Sequence, residues 1–406
     1  MTQIARAKAE VVLDLSRLLS RVTHATPTGV DRCEMAYARG LLAKIPERLR
    51  FAAVHPAGFY GRLDRSAVLR FLDVTEERWA SRGFSSIWDK RRFVAGALAA
   101  LRPRLDKEQR DGRPRVYLQA SPNNLTNPKL IRRILAREQA KFVCLVHDLI
   151  PIEFPEYGRA DGLAKHEARV GTVAELADGI VCNSHATLDS LQPWLERFPH
   201  SRTTTVAHLG TPHRVPPPSI ASGDHFACIG TIEPRKNHLL LLNIWRSLVH
   251  SATGQTGDLP RLLIIGRRGW ENEQVVDMLE RCSALQGLVI ESNEMSDGEV
   301  TQILTTSRAL LLPSFAEGYG MPVTEALALG VPVICSDLPA LREAGGDVPD
   351  YLDPLDGPGW REAILDHAAL RSERRTRQLA RLSGWRPPSW ESHMDTVVNL
   401  VDRVSG

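Results

Sequence analysis

Apolar positions in this chain form short continuous runs separated by amphipathic stretches, and the pattern sharpens after mid-chain. In the first half, residues 11–15, 115–118, 142–146 and 179–182 read as buried strands, and 30–42 carries helical periodicity. Asn127–Pro128 reads as a helix cap and first turn, and Ser184 caps another helix. Residues 60–110, rich in Arg and aromatics, are predicted helical. In the second half, strands are predicted at 226–230, 261–266, 287–291, 309–312 and 331–335. Helices are predicted between them at 238–250, 271–285, 296–307 and 322–329. Strands that are apolar throughout, alternating with helices, are those of a parallel sheet covered on both faces. The pattern breaks at Pro216, Pro217 and Pro218, which can continue neither a helix nor a central strand. This divides the chain into an N-terminal domain over 1–215 and a C-terminal domain over 222–387. A terminal amphipathic helix follows within 388–406.

Length agrees with two domains, since 406 residues exceed what a single core usually supports. With 43% hydrophobic and 24% charged residues the chain is expected to fold. A net charge of +3 gives no reason to expect a nucleic-acid partner. No run of about 18 apolar residues occurs, and the first ten residues lack an apolar stretch of signal-peptide length. None of the six cysteines forms a Cys-x-x-Cys pair, which points to buried thiols in a reducing cytoplasm and not to zinc.

Parallel sheets bind ligands at the carboxyl ends of their strands, and two segments with suitable chemistry follow predicted strands. The first is Pro313-Ser-Phe-Ala-Glu-Gly-Tyr-Gly-Met-Pro-Val-Thr-Glu325. Gly318 and Gly320 permit close approach of a backbone to a ligand, and Pro322 suits a first helical turn. The N–H groups around Tyr319, Gly320 and Met321, with the helix dipole, favour phosphate. Glu317 precedes the turn and Glu325 lies about one turn inside the helix. The second segment is Gly230-Thr-Ile-Glu-Pro-Arg-Lys-Asn237, with Asn237 placed to cap the next helix. Cations at a helix start are unfavourable unless an anion binds there, which gives Arg235 and Lys236 a reason to exist. A departing diphosphate gains negative charge and needs such donors.

Together these segments resemble the retaining glycosyltransferases of family GT4. Glu317 and Glu325 match the family's Glu-x7-Glu motif, residues 230–237 match its phosphate loop, and Gly266-Arg-Arg-Gly-Trp270 matches a further segment. The resemblance is dense in the C-terminal half and sparse in the N-terminal half. It implies the GT-B fold, an α/β arrangement of two Rossmann-like domains with parallel sheets facing across a cleft. It also implies catalytic roles for Glu317, His147, Lys236 and Arg235. Gly29, Gly230, Thr231, Arg235, Lys236, Gly318, Tyr319, Gly320, Met321 and Glu325 would bind the nucleotide sugar, with Glu317 on the sugar and Glu325 on the ribose. Many members carry Arg where this chain has Thr231, which leaves open which cation meets which phosphate.

His147 and Asp148 follow a strand at the position of a family histidine that would donate a hydrogen bond to the sugar or orient the acceptor. Thr28-Gly29-Val-Asp-Arg32 resembles the family's glycine loop, and equally reads as an ordinary capped helix start. The partners implied are a nucleotide-diphosphate sugar, GDP-mannose first, and a glycan or lipid-linked acceptor of a bacterial surface polysaccharide. The basic stretch 129–141 is compatible with a peripheral contact at the cytoplasmic face of the inner membrane, or with a solvated helix face. No metal and no cofactor are expected, since Asp-x-Asp is absent from the chain. A silent binding subunit and a GT-B epimerase remain as alternatives.

Overall fold

A computed structural model describes residues 8–24, 26–81, 86–104, 112–213, 223–251, 259–293 and 295–406. The expected boundary at Pro216–Pro218 lies outside them. Two compact units emerge. The first comprises Met1–Leu149, Ala164–Gly210 and Ser389–Gly406, and the second Ile150–Leu163 and Thr211–Pro388. The sequence had assigned 150–163 to the first domain. The structure groups this segment with the second unit, because Tyr157 stacks on Phe315 at 5.2 Å and its carbonyl accepts from the Trp270 indole at 3.2 Å.

The first unit is built on seven strands: β1 (Glu10–Asp14), β2 (Leu49–Val54), β3 (Tyr60–Arg62), β4 (Arg115–Gln119), β5 (Ala140–Val146), β6 (Gly179–Cys182) and β7 (Thr203–Val206). Their order is β3-β2-β1-β4-β5-β6-β7, parallel except for the β2–β3 pair. The predicted strands are present within two residues at each end. β2, β3 and β7 were not predicted, and Thr203–Val206 is half-buried throughout, without the continuous apolar run that marks a central strand. Helices Arg65–Ala80 and Ile87–Ala100 occupy most of the described part of 60–110.

The C-terminal helix Trp390–Ser405 belongs to this unit. Its cap is Ser389, and its buried face carries Met394, Val397 and Leu400. His393 Nδ1 lies 3.0 Å from the His208 carbonyl, and Nε2 2.9 Å from the Tyr37 hydroxyl. Lys44 pairs with Asp395 at 2.6 Å and Arg48 with Asp402 at 2.5 Å.

The second unit carries β8 (His225–Ile229), β9 (Arg261–Ile265), β10 (Val289–Ser292), β11 (Leu310–Leu312), β12 (Val333–Ser336) and β13 (Asp350–Leu352). All pairs are parallel, in the order β10-β9-β8-β11-β12-β13. Burial on both faces explains the unbroken apolar runs. Trp245 and Phe226 meet edge to face at 6.0 Å in the core, and the Trp245 indole donates to the Pro260 carbonyl at 2.7 Å. Strand order reverses between β8 and β11. The carboxyl ends of strands at such a switch point are where these sheets bind ligands. The loop after β8 is 230–237 and the loop after β11 is 313–320. Among the described residues no helix is long and apolar enough to cross a membrane.

Candidate functional site

The two loops meet at this switch point. After β8 the chain extends through Gly230 to Ile232, whose N–H donates to the Arg267 carbonyl at 2.9 Å, while Gly269 N–H returns to the Ile232 carbonyl. The loops after β8 and β9 therefore lie against each other. A Cβ at Gly266 would sit 1.8 Å from the Gly230 carbonyl oxygen. Because that neighbour is backbone, it has little freedom to move aside. Gly266→Ala is expected to cost about 3 kcal/mol, read as a fall in the urea midpoint. An unchanged midpoint would show that the two loops are not packed this way.

Arg235 and Lys236 sit on a 3-10 turn, Pro234–Lys236, ended by Asn237 in the left-handed region. Asn237 directly precedes helix His238–Ser251, and its Nδ2 donates to the Pro354 carbonyl at 2.9 Å, which ties the turn to the loop after β13. On the other loop, Phe315 N–H donates to the Arg235 carbonyl at 2.8 Å and Arg235 Nη1 to the Ala316 carbonyl at 2.9 Å. This registers the cations against Glu317. Lys236 Nζ lies 2.5 Å from Glu317 Oε1, Arg235 Nη1 lies 2.9 Å from Oε2, and Ser314 Oγ donates to Oε1 at 2.7 Å. Arg235 Nε also pairs with Glu233 at 2.6 Å.

The side chains of Lys236 and Glu317 are each 8% exposed, so this is a buried ion pair. Burial alone would raise the Glu317 carboxyl. The Lys236 and Arg235 charges, with hydrogen bonds from Lys236 and Ser314, outweigh burial and hold it at about 2. For Glu233 burial wins over Arg235, and its carboxyl is raised. His238, the first residue of helix His238–Ser251, is held down at about 3 by burial and then by the Lys236 charge, and is neutral.

The Glu317 shift makes stability depend on pH. A depressed carboxyl contributes stability that is fully present above the unfolded value of 4.5 and is lost as pH falls through about 2. The amount is about 3 kcal/mol at neutral pH. Acid unfolding followed by circular dichroism should therefore show a loss between about pH 4.5 and 2 that is smaller in Glu317→Gln. Identical acid transitions would rule out the pair as described.

The rest of the second segment turns into helix Met321–Ala328. Gly320 caps it at φ 115°, a conformation that only glycine adopts readily, with Pro322 in the first turn. Tyr319 is buried behind it. Glu325 lies four residues into the helix and is half-buried. Of the predicted residues, the structure thus groups Gly230, Thr231, Arg235, Lys236, Glu317, Gly318, Tyr319, Gly320, Met321 and Glu325 on the two loops and the helix start of the second unit. Glu233 and Ser314 also belong to the charge cluster. The sequence analysis did not single them out, although both lie inside the quoted segments.

His147 and Gly29 lie in the first unit, where strand order reverses between β1 and β4. His147 follows β5, and its Nε2 donates to the Ala120 carbonyl at 2.8 Å. A carbonyl only accepts, so the proton is on Nε2. Burial holds the ring neutral against the opposing Asp148 charge. The neutral ring can then accept through Nδ1, which suits orienting an acceptor hydroxyl better than donating to the sugar. Gly29 opens helix Gly29–Lys44 behind a capping box of Thr28 and Asp31. Asp31 is paired with Arg17 at 2.6 Å and Arg21 at 2.8 Å. This is the capped helix start weighed from the sequence. The basic stretch at 129–141 spans helix Pro128–Glu138, which buries Ile131 and Ile134 and pairs Arg132 with Glu175, and the start of β5, where Lys141 pairs with Asp178.

Comparison with known proteins follows this geometry. Residues 219–347 match the family of glycosyl transferases group 1. The serotype-specific mannosyltransferase WbdA of Escherichia coli is 27% identical over 237 residues, which is 53% of this chain and 28% of that one. The O-antigen chain mannosyltransferase B of Escherichia coli is 32% identical over 171 residues, covering 42% of this chain and 44% of that one. The chain therefore spans less than half the length of these curated relatives. Among solved structures, Anabaena Alr3699/HepE in complex with UDP superposes with a TM-score of 0.61 at 13% identity, covering 98% of this chain and all of that one. Sucrose-phosphate synthase from Thermosynechococcus elongatus gives 0.61 at 14% identity, covering 98% and 99%. With two Rossmann-like units of the GT-B fold and a glycosyl transferases group 1 domain at 219–347, the chain is similar to the GT4-like glycosyltransferases.

Proposed function

We propose that the chain transfers a hexose from a nucleotide-diphosphate sugar to a glycan or lipid-linked acceptor, with retention and without a metal, in surface-polysaccharide assembly. One observation carries this reading. Two cations from the loop after β8 converge on a carboxylate from the loop after β11, at the switch point where such sheets bind nucleotides. Lys236 and Arg235 supply the positive charge that a departing diphosphate needs. Glu317, held at about 2, is ionised throughout the physiological range and too weak a base to take a proton. Its part is to accept hydrogen bonds. Three donors occupy it, and a carboxylate has about four acceptor sites, so one remains for a sugar hydroxyl. Glu325 would take the ribose. No carboxylate is assigned beneath the anomeric carbon. The working route is accordingly a front-face displacement, in which the leaving phosphate accepts the proton of the incoming hydroxyl.

The names of the relatives make GDP-mannose the first donor to try. A thermal-shift panel of GDP-, UDP-, ADP- and dTDP-sugars tests the reading. A ligand at 100 times its dissociation constant should add about 2.7 kcal/mol. Stabilisation by a single base series is expected, whereas no shift across the whole panel would sink the donor assignment.

A further inference from the structure

The second unit has another basic feature, at the opposite edge of its sheet. Arg308 lies two residues before β11, and its N–H donates to the carbonyl of His225 at the start of β8. It lines a recess of about 510 Å3 together with Arg371, Ser372, Arg375, Thr376, Arg377 and one carboxylate, Glu373. Ser372 caps helix Glu373–Leu382, so the recess also borders a helix N-terminus.

Three independent features leave this recess short of negative charge. Arg374 pairs with Glu362 at 2.7 Å and Arg377 lies 3.7 Å from Glu373, but among the described residues Arg308, Arg371 and Arg375 have no carboxylate partner. The Nε atoms of Arg308 and Arg375 are both buried without a hydrogen-bond acceptor. Finally, Arg374, Arg375 and Arg377 crowd the first turns of a helix, where the dipole disfavours cations. Burial, and then the Arg308 charge, lowers the Arg375 pKa. Arginines gathered this way repel one another and the helix dipole, and an oxyanion held between the exposed guanidinium nitrogens would offset that charge. Guanidinium forks match phosphate oxygens in pairs, and helix N-terminal amides favour the same charge. The volume suits a small molecule, and Leu370, 93% exposed at the rim, offers an apolar contact.

We infer that this recess is a second oxyanion site, separate from the carboxyl-end site of Arg235, Lys236 and Glu317, and that it takes a small phosphorylated ligand. Inorganic pyrophosphate is the probe. Calorimetric titration of the full chain should show one more bound pyrophosphate per chain than the Arg371→Glu variant, or at least about a tenfold loss of affinity in that variant. Arg371 is exposed, so its replacement does not endanger the fold. Arg308→Gln combined with Arg375→Gln should reproduce the loss, while nucleoside-diphosphate binding stays unchanged in both variants. Failure of the nucleoside diphosphate alone would count against the donor site and leave this site standing. Absence of pyrophosphate binding at millimolar concentration, or equal binding by the native chain and Arg371→Glu, would overturn the proposal.

Discussion

Replacing Lys236 with methionine should reduce transfer by about a hundredfold to a thousandfold and also destabilise the unliganded protein. The first effect follows from its position. Lys236 lies on the loop at the carboxyl end of β8, and a preorganised donor aimed at developing charge is worth about two to three orders of magnitude in rate. The second follows from the buried pair with Glu317 at 2.5 Å. Removing one partner strands the other charge and costs about 3–5 kcal/mol. From the sequence alone, loss of Lys236 would be expected to stop transfer and leave stability intact. The burial of both side chains changes that expectation. Initial rates with a radiolabelled donor and a urea titration without ligand check the two parts separately. Near-normal turnover, or an unmoved urea midpoint, would contradict them.

Glu317→Gln should show the inverse pattern with nucleotide. Without the carboxylate, Arg235 and Lys236 lose the charge they share, while Glu233 still pairs with Arg235, and the unliganded protein loses about 3 kcal/mol. A nucleoside diphosphate brings the missing negative charge. Its stabilising effect should therefore be larger in Glu317→Gln than in the native chain, even though transfer falls by orders of magnitude because the sugar has lost its anchor. Melting temperatures with and without nucleoside diphosphate measure this difference. An equal shift in both proteins would mean that Glu317 and the diphosphate do not share the cations.

Much of this site was legible because it is local in sequence. Each loop follows an apolar run that could only be a buried strand, and its glycines, proline and charges sit at fixed offsets from the strand end. The switch point that joins the loops was not legible, because it depends on strand order. β3 and β13 are three residues long and β7 is three threonines and a valine, so they carry no strong signal, whereas β2 has the apolar run 51–54 and was legible. The bond from Asn237 to the Pro354 carbonyl was equally hidden, because it links positions over a hundred residues apart in the chain. The His147 tautomer likewise depends on Ala120, at the end of a different strand. Side chains partnered by near neighbours could be read from the sequence, while those partnered across the sheet required the structure.

The central claim is that 230–237 and 313–325 together hold a pyrophosphate. Calorimetric titration with the nucleoside diphosphate selected by the thermal panel, into the native chain and into Arg235→Gln, measures it directly. Arg235 is the more exposed of the two cations, at 22% for its side chain, so this variant should keep its fold. The account predicts saturable one-to-one binding by the native chain and an affinity at least about tenfold lower in the variant. Equal affinities in the two proteins would contradict it.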